Sequence, residues 1–160
     1  REAVKLLLTD PARRENALVT ALEAPDLPTV RLGLLAAAED CPDAAVPLIL
    51  RRLSADGLDG ELRALALRAV APVGIPHVLD ALMAACAVGG PFSIGRRLAP
   101  KSPPLLAALS GLATHWQGDA RAERALALPA RVRDVEVRDA AAPRDPVSRP
   151  DHGPVILMPR

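Results

Sequence analysis

The sequence predicts an all-α fold of stacked helix pairs, and three observations carry that expectation. Half of the 160 residues are hydrophobic, yet there is one Phe, one Trp and no Tyr, so the apolar surface comes from Ala, Leu and Val. Such side chains suit close helix packing better than a β-sandwich. The stretch from Asp59 to Ala71 reads as the start and body of an amphipathic helix, and weaker copies recur around Asp26 to Ala38 and Asp134 to Ala142. Arg1, Arg31 and Arg63 stand 30 and 32 residues apart, and Arg138 lies 75 beyond Arg63, about two periods with a degenerate copy between. A fixed period of this size marks a repeat array, in which units that cannot bury their apolar faces alone stack into a solenoid of about four helix pairs.

Arg1 to Leu8 reads as the second helix of a pair whose first half is missing. With no initiating Met, this points to a fragment of a longer protein. Thr9-Asp10-Pro11 ends that helix and caps the next, because Asp or Thr before a Pro is a helix start signal. From Ala12 to about Glu23, Leu18, Ala21 and Leu22 fall at helical spacing. After the turn Ala24 to Pro28, the helix from about Thr29 to Glu39 is apolar nearly all round, as expected of one buried between neighbours.

Cys41-Pro42-Asp43 makes the next break. Val46, Ile49, Leu50 and Leu53 then form a stripe with Arg51 and Arg52 opposite, an outer, half-exposed helix. Ser54 to Gly60 is a turn. Leu62, Leu65, Ala66, Ala69 and Val70 form the stripe of the following helix, which stops near Pro72-Val73-Gly74. Pro76 starts a helix with Leu79, Leu82, Met83 and Cys86 on its apolar side.

Regularity breaks from Val88 to Pro104, where Gly89, Gly90, Pro91, Gly95, Pro100, Pro103 and Pro104 rule out most helix interior. A loop of this length in a compact array is more often functional or disordered than a plain connector. Leu105, Leu109, Leu112, Ala113 and Trp116 resume a helical stripe. Gly118-Asp119 ends it and caps a helix from about Ala120 to Leu128, which Pro129 interrupts. A last copy begins at Asp134 and is aborted at Pro143. The body is therefore expected over 1–142, followed over 143–160 by a Pro-rich extended or disordered tail with one apolar island, Val155 to Met158.

Lys plus Arg number 20 against 19 Asp plus Glu, so no strong electrostatic footprint points to nucleic acid or an anionic membrane. The basic residues are nearly all Arg, with only Lys5 and Lys101 as lysines, a bias that fits a GC-rich bacterium. Cys41 and Cys86 are too few for a disulfide framework and lack metal-ligand spacing, which fits a reducing cytoplasm. No run of about 18 apolar residues exists, and the N-terminus has no signal-peptide order.

Short helices paired in units of about 30 to 40 residues, with an Asp shortly before an Arg at the start of the second helix, resemble HEAT repeats. Asp26 with Arg31, Asp59 with Arg63 and Asp134 with Arg138 carry the resemblance, which covers roughly residues 1 to 142. The departures are the insertion after Cys86, the missing Asp-to-Arg pair in the copy near Lys101, and the Pro-rich end. The resemblance implies a right-handed α-solenoid. It also admits enzyme-associated relatives, acting on bilin chromophores or on alkylated DNA, but the scarcity of aromatics argues against base stacking and neutrality against a large phosphate footprint. Independently of any family, an Asp at a helix N-terminus caps exposed amides and complements the macrodipole. The Arg one turn on could bridge to that Asp or to its equivalent in the next unit, so both are expected to be structural, and Arg63→Ala to lower stability without touching specific binding.

Gly90 to Arg96 has the two-glycine spacing of a phosphate-binding loop, but Arg96 and Arg97 stand where Lys and Ser or Thr are required and no strand precedes them. His77, His115 and His152 have no Asp, Glu or Cys at ligand spacing. Cys86 lies on an apolar stripe, as a small buried hydrophobe would. No nucleophile, base and orienting group fall together. No catalytic residue, metal or cofactor is expected. The candidate protein contacts are Arg96, Arg97 and Lys101 in the long loop, as a cluster for an acidic surface, and Trp116, either a packing anchor or an exposed aromatic contact. The function expected is a protein-binding scaffold, monomeric and without catalysis, with a purely structural spacer or cap as the alternative. Deleting residues 89 to 101 should weaken binding if the loop takes part.

Overall fold

The computed structural model describes residues 10, 13–55, 57–87 and 97–143. The expected helix over Arg1–Leu8, most of the insertion with Arg96, and the tail beyond Pro143 lie outside the described residues. Among those described there are eight α-helices: α1 (Arg14–Glu23), α2 (Leu27–Glu39), α3 (Ala45–Ser54), α4 (Gly60–Val70), α5 (Pro76–Cys86), α6 (Pro103–His115), α7 (Ala120–Leu126) and α8 (Val135–Ala140). A 3-10 turn, Pro129–Arg131, separates α7 from α8. The fold is all-α, the one β feature among the described residues being an isolated antiparallel bridge between Ala87 and Leu98.

The helices lie in two rows. Along one row α2 packs on α4, α4 on α6 and α6 on α8; along the other α1 packs on α3, α3 on α5 and α5 on α7. Between rows α1 meets α2, α3 meets α4, and α5 meets α6. Each even-numbered helix begins with a side-chain cap. Asp26 accepts from Thr29 N, Asp59 from Leu62 N, Ser102 from Leu105 N, and Asp134 from Glu136 N and Val137 N. These caps stand 33, 43 and 32 residues apart (26 to 59, 59 to 102, 102 to 134). The ten-residue excess in the middle interval equals the ten residues, 88 to 97, between Ala87 and Leu98. A further bond, Ala99 N to Cys86 O at 2.9 Å, closes the foot of the insertion, so the chain leaves and resumes the helical rows at one point.

The core runs between the rows. Leu18, Leu22, Leu34, Ile49, Leu67, Leu82, Leu105 and Leu109 are fully buried in one contiguous cluster. Among the described glycines, Gly111 of α6 is the most closely approached: a Cβ there would stand 2.8 Å from the Cβ of Ala71 at the end of α4. The absent side chain lets the two backbones come together.

Several expectations need correction. The first described helix is Arg14–Glu23, with Arg13 as a cap residue that makes no side-chain cap bond, while Ala12 lies outside the described residues. The second starts at Leu27, because Asp26 caps it and Pro28 occupies its first turn, where a missing N–H costs nothing. That helix is not buried all round: Leu27 and Leu35 are 40% and 46% exposed. On α4, Ala64 and Leu67 are buried while Leu65 is only half-buried, because the helix packs on α2 and α6 at its sides as well as on α3.

Candidate functional site

The arginines fall into two kinds. Some hold helix ends. Arg52 of α3 donates through Nε to Leu22 O at 3.0 Å and through Nη2 to Ala24 O at 2.7 Å, closing the last turn of α1. Arg63 of α4 donates to Leu53 O at 2.8 Å, and Arg14 of α1 donates to Ala36 O at 3.1 Å near the end of α2. The last carbonyls of a helix have no intrahelical partner, and a cation there also meets the negative end of the macrodipole. Arg52, expected on a solvent face, is thus half-buried and structural. Arg63 reaches across to the neighbouring helix instead of back to Asp59.

Of the binding residues expected from the sequence, Lys101 and Trp116 are engaged within the fold. Lys101 pairs with Asp134 at 3.0 Å and Glu136 at 2.6 Å, fastening the start of α8 to the foot of α6. Those two carboxylates hold its ammonium above the usual lysine range, Glu136 contributing most. Lys101 in turn is the main cause of the lowered Asp134 carboxyl. Trp116, half-buried, donates from Nε1 to Ala71 O at 3.0 Å, a fourth tie to a helix end. Arg97 is exposed at the foot of the insertion, and Arg96 lies outside the described residues. Deleting 89 to 101 would also remove the Ala99 bond and the Lys101 clamp, so that deletion cannot isolate a binding role. Burial pushes the Cys86 thiol up to about 12, leaving it protonated and unreactive.

The concave features are made by other residues. On the row of even helices, a groove of about 370 Å³ runs between α2 and α4. Leu27, Leu35 and Leu65 line it, with Arg31 and Arg68 on one side of the charge balance and Asp59 and Glu61 on the other. A second hollow of about 580 Å³ continues along the same row between α4, α6 and α8, shares Arg68, and adds Leu106, Val135, Glu136 and Asp139. Val135 is 58% exposed, so three of the four large exposed hydrophobics among the described residues, Leu27, Leu35 and Val135, lie on this one face. Of the Asp-to-Arg pairs, Asp26, Asp59 and Asp134 cap helices; Arg31 borders the groove, and Arg138 is exposed on α8. The apolar reading of the helix from Thr29 to Glu39 conceals this groove, since it places Leu35 in the interior, and Leu27 falls in the turn expected before it. A third hollow, on the opposite row, is lined by arginines of α7 and the 3-10 turn.

These features define an all-α protein whose candidate site is a surface groove between two neighbouring helices of one row. Compared with known proteins, the chain matches no family model, no curated protein and no solved structure. Among the described residues no helix is long and apolar enough to cross a membrane.

Proposed function

We propose that the chain is a HEAT-like α-solenoid of four helix pairs, right-handed as that resemblance implies, and that it serves as a protein-interaction module without catalysis of its own. The observation that carries the reading is the recurrence of a side-chain cap at the start of every second helix, 33, 43 and 32 residues apart, with the odd interval accounted for by the insertion. Repeated units of this kind present one row of helices as an extended recognition surface. The row used is that of α2, α4, α6 and α8. Its groove offers half-exposed leucines flanked by both signs of charge, the chemistry that receives an amphipathic helix: apolar anchors enter the groove and its charged flanks fix the register.

The test is site-specific photocross-linking in the native host. A photoreactive residue at Leu35, in the groove, should give a discrete adduct with another protein, whereas one at His77, exposed at the start of α5 in the other row, should not. Equal adducts from both positions, or none from Leu35, would remove the proposed face.

A further inference from the structure

The hollow on the odd-numbered row is independent of the proposed protein groove and has a different chemistry. It measures about 660 Å³, within the range of small-molecule sites. Its walls combine Met83, Ala125 and Leu128 with three arginines, Arg121, Arg124 and Arg131. Positions 121, 124, 125 and 128 follow the one-face spacing of a helix, so α7 and the turn after it turn guanidinium and apolar groups toward one space. Glu123, two residues from Arg121, is exposed and does not line the hollow.

The three arginines are not equally committed. Arg121 pairs with Asp80 at 2.6 Å. Arg124 uses Nε on its own helix, donating to Ala120 O at 2.9 Å, and its two terminal nitrogens make no bond among the described residues. Arg131 is exposed on the 3-10 turn. Asp80 pairs with Arg121, and Asp119 lies within electrostatic reach of Arg121 and Arg124, so about one net positive charge remains over an apolar floor, with neither acid paired to Arg131. Planar guanidinium forks match the oxygens of phosphate and carboxylate, and keep their charge at every pH the protein experiences.

We infer that this hollow binds an organic anion of the phosphate type carried on an apolar chain, the head group held by Arg124 and Arg131 and the chain lying against Met83, Ala125 and Leu128. The same head-group chemistry occurs in a free alkyl phosphate and at a lipid surface, and the experiment separates the two.

Calorimetric titration of the full chain with hexyl phosphate should show one saturable site. Inorganic phosphate and hexanol, each lacking half of the recognition, should bind at least tenfold more weakly. Arg124→Ala and Arg131→Ala should each weaken hexyl phosphate about tenfold or more, as expected for loss of a charge-assisted pair. Asp80→Asn, which frees Arg121, should tighten it. Sedimentation with vesicles of phosphatidic acid in phosphatidylcholine then assigns the source: pelleting lost in Arg131→Ala identifies a lipid head group, and no pelleting beside tight hexyl phosphate binding identifies a soluble ligand. No saturable binding of hexyl phosphate, binding unaltered by both arginine substitutions, or inorganic phosphate binding as tightly as hexyl phosphate would overturn the assignment. Because no residue of the α2–α4 groove is altered, this result stands or falls separately from the protein-interaction reading.

Discussion

Arg51 and Arg52 are neighbours on α3 with opposite work to do, and the contrast can be measured. Arg52 fills two carbonyls of the α1 terminus, at 3.0 and 2.7 Å, whereas Arg51 reaches Glu23 at 3.5 Å across exposed surface, the two side chains being 66% and 54% accessible. A hydrogen bond from a charged donor contributes about 1.5–3 kcal/mol. Water can reach the end of α1 once the side chain is gone, so the loss of both bonds in Arg52→Ala should total about 1.5–3 kcal/mol rather than the sum. For a chain of this size that lowers Tm by about 3–12 °C. Arg51→Ala removes an exposed pair and should change stability by about 0–1 kcal/mol. Arg52→Lys keeps the charge but not the fork, so it should recover part of the loss. Urea unfolding followed by circular dichroism, with the slope of the transition unchanged, reads all three. Equal losses for Arg51→Ala and Arg52→Ala would refute the assignment of helix-end closure to Arg52.

Gly111→Ala should destabilise although it adds a better helix former. The new methyl meets the Ala71 Cβ at 2.8 Å, and overpacking of about 1–3 kcal/mol outweighs the propensity gain of about 1 kcal/mol; a Tm above wild type would contradict the close approach. Native alkylation by iodoacetamide at pH 8 should modify Cys41, which is half-buried, and leave Cys86, whose thiol burial holds up to about 12, until the protein unfolds; mass mapping of the adducts decides. Asp134 and Asp119 have lowered carboxyl pKa values, the first mainly through Lys101 and the second mainly through the Ala122 amide. A group depressed in the folded state contributes stability above its unfolded value, near pH 4, and loses it as pH falls through the lower folded value. Thermal unfolding across pH 2 to 6 should therefore show a shallower acid loss for Asp134→Asn than for wild type, and parallel curves would remove Asp134 from the acid transition.

What was legible in the sequence was local. Asp26, Asp59, Asp119 and Asp134 could be read as caps because a cap and its amides lie within three residues, and each does accept those amides. The register was harder. The arginine spacing does not show it, because Ser102, with Oγ a weak 3.5 Å from Leu105 N, stands where the other even helices carry Asp. Partners from distant segments left no local mark. Leu22 and Leu53 offer backbone carbonyls, which look alike at every position, so the ties from Arg52 and Arg63 could not be foreseen. Lys101 looked like a free loop cation because Asp134 and Glu136 are more than thirty residues away in sequence. The exposed Leu35 is hidden by the apolarity of its helix as a whole, because period alone cannot tell a buried face from a groove, and Leu27 is missed because the helix start is placed two residues late.

The face of α2 and α4 is the centre of the account, and the affinity of the cross-linked partner for a Leu27→Glu, Leu35→Glu double variant tests it most directly. Each leucine has roughly half its surface left to bury, about 1–1.5 kcal/mol apiece at a well-packed interface. Because both side chains point out of the fold, Tm should stay near wild type. Isothermal titration should then show Kd weakened by about 30-fold or more. A double variant that melts like wild type and binds within twofold of it would place the partner elsewhere and contradict the proposed groove.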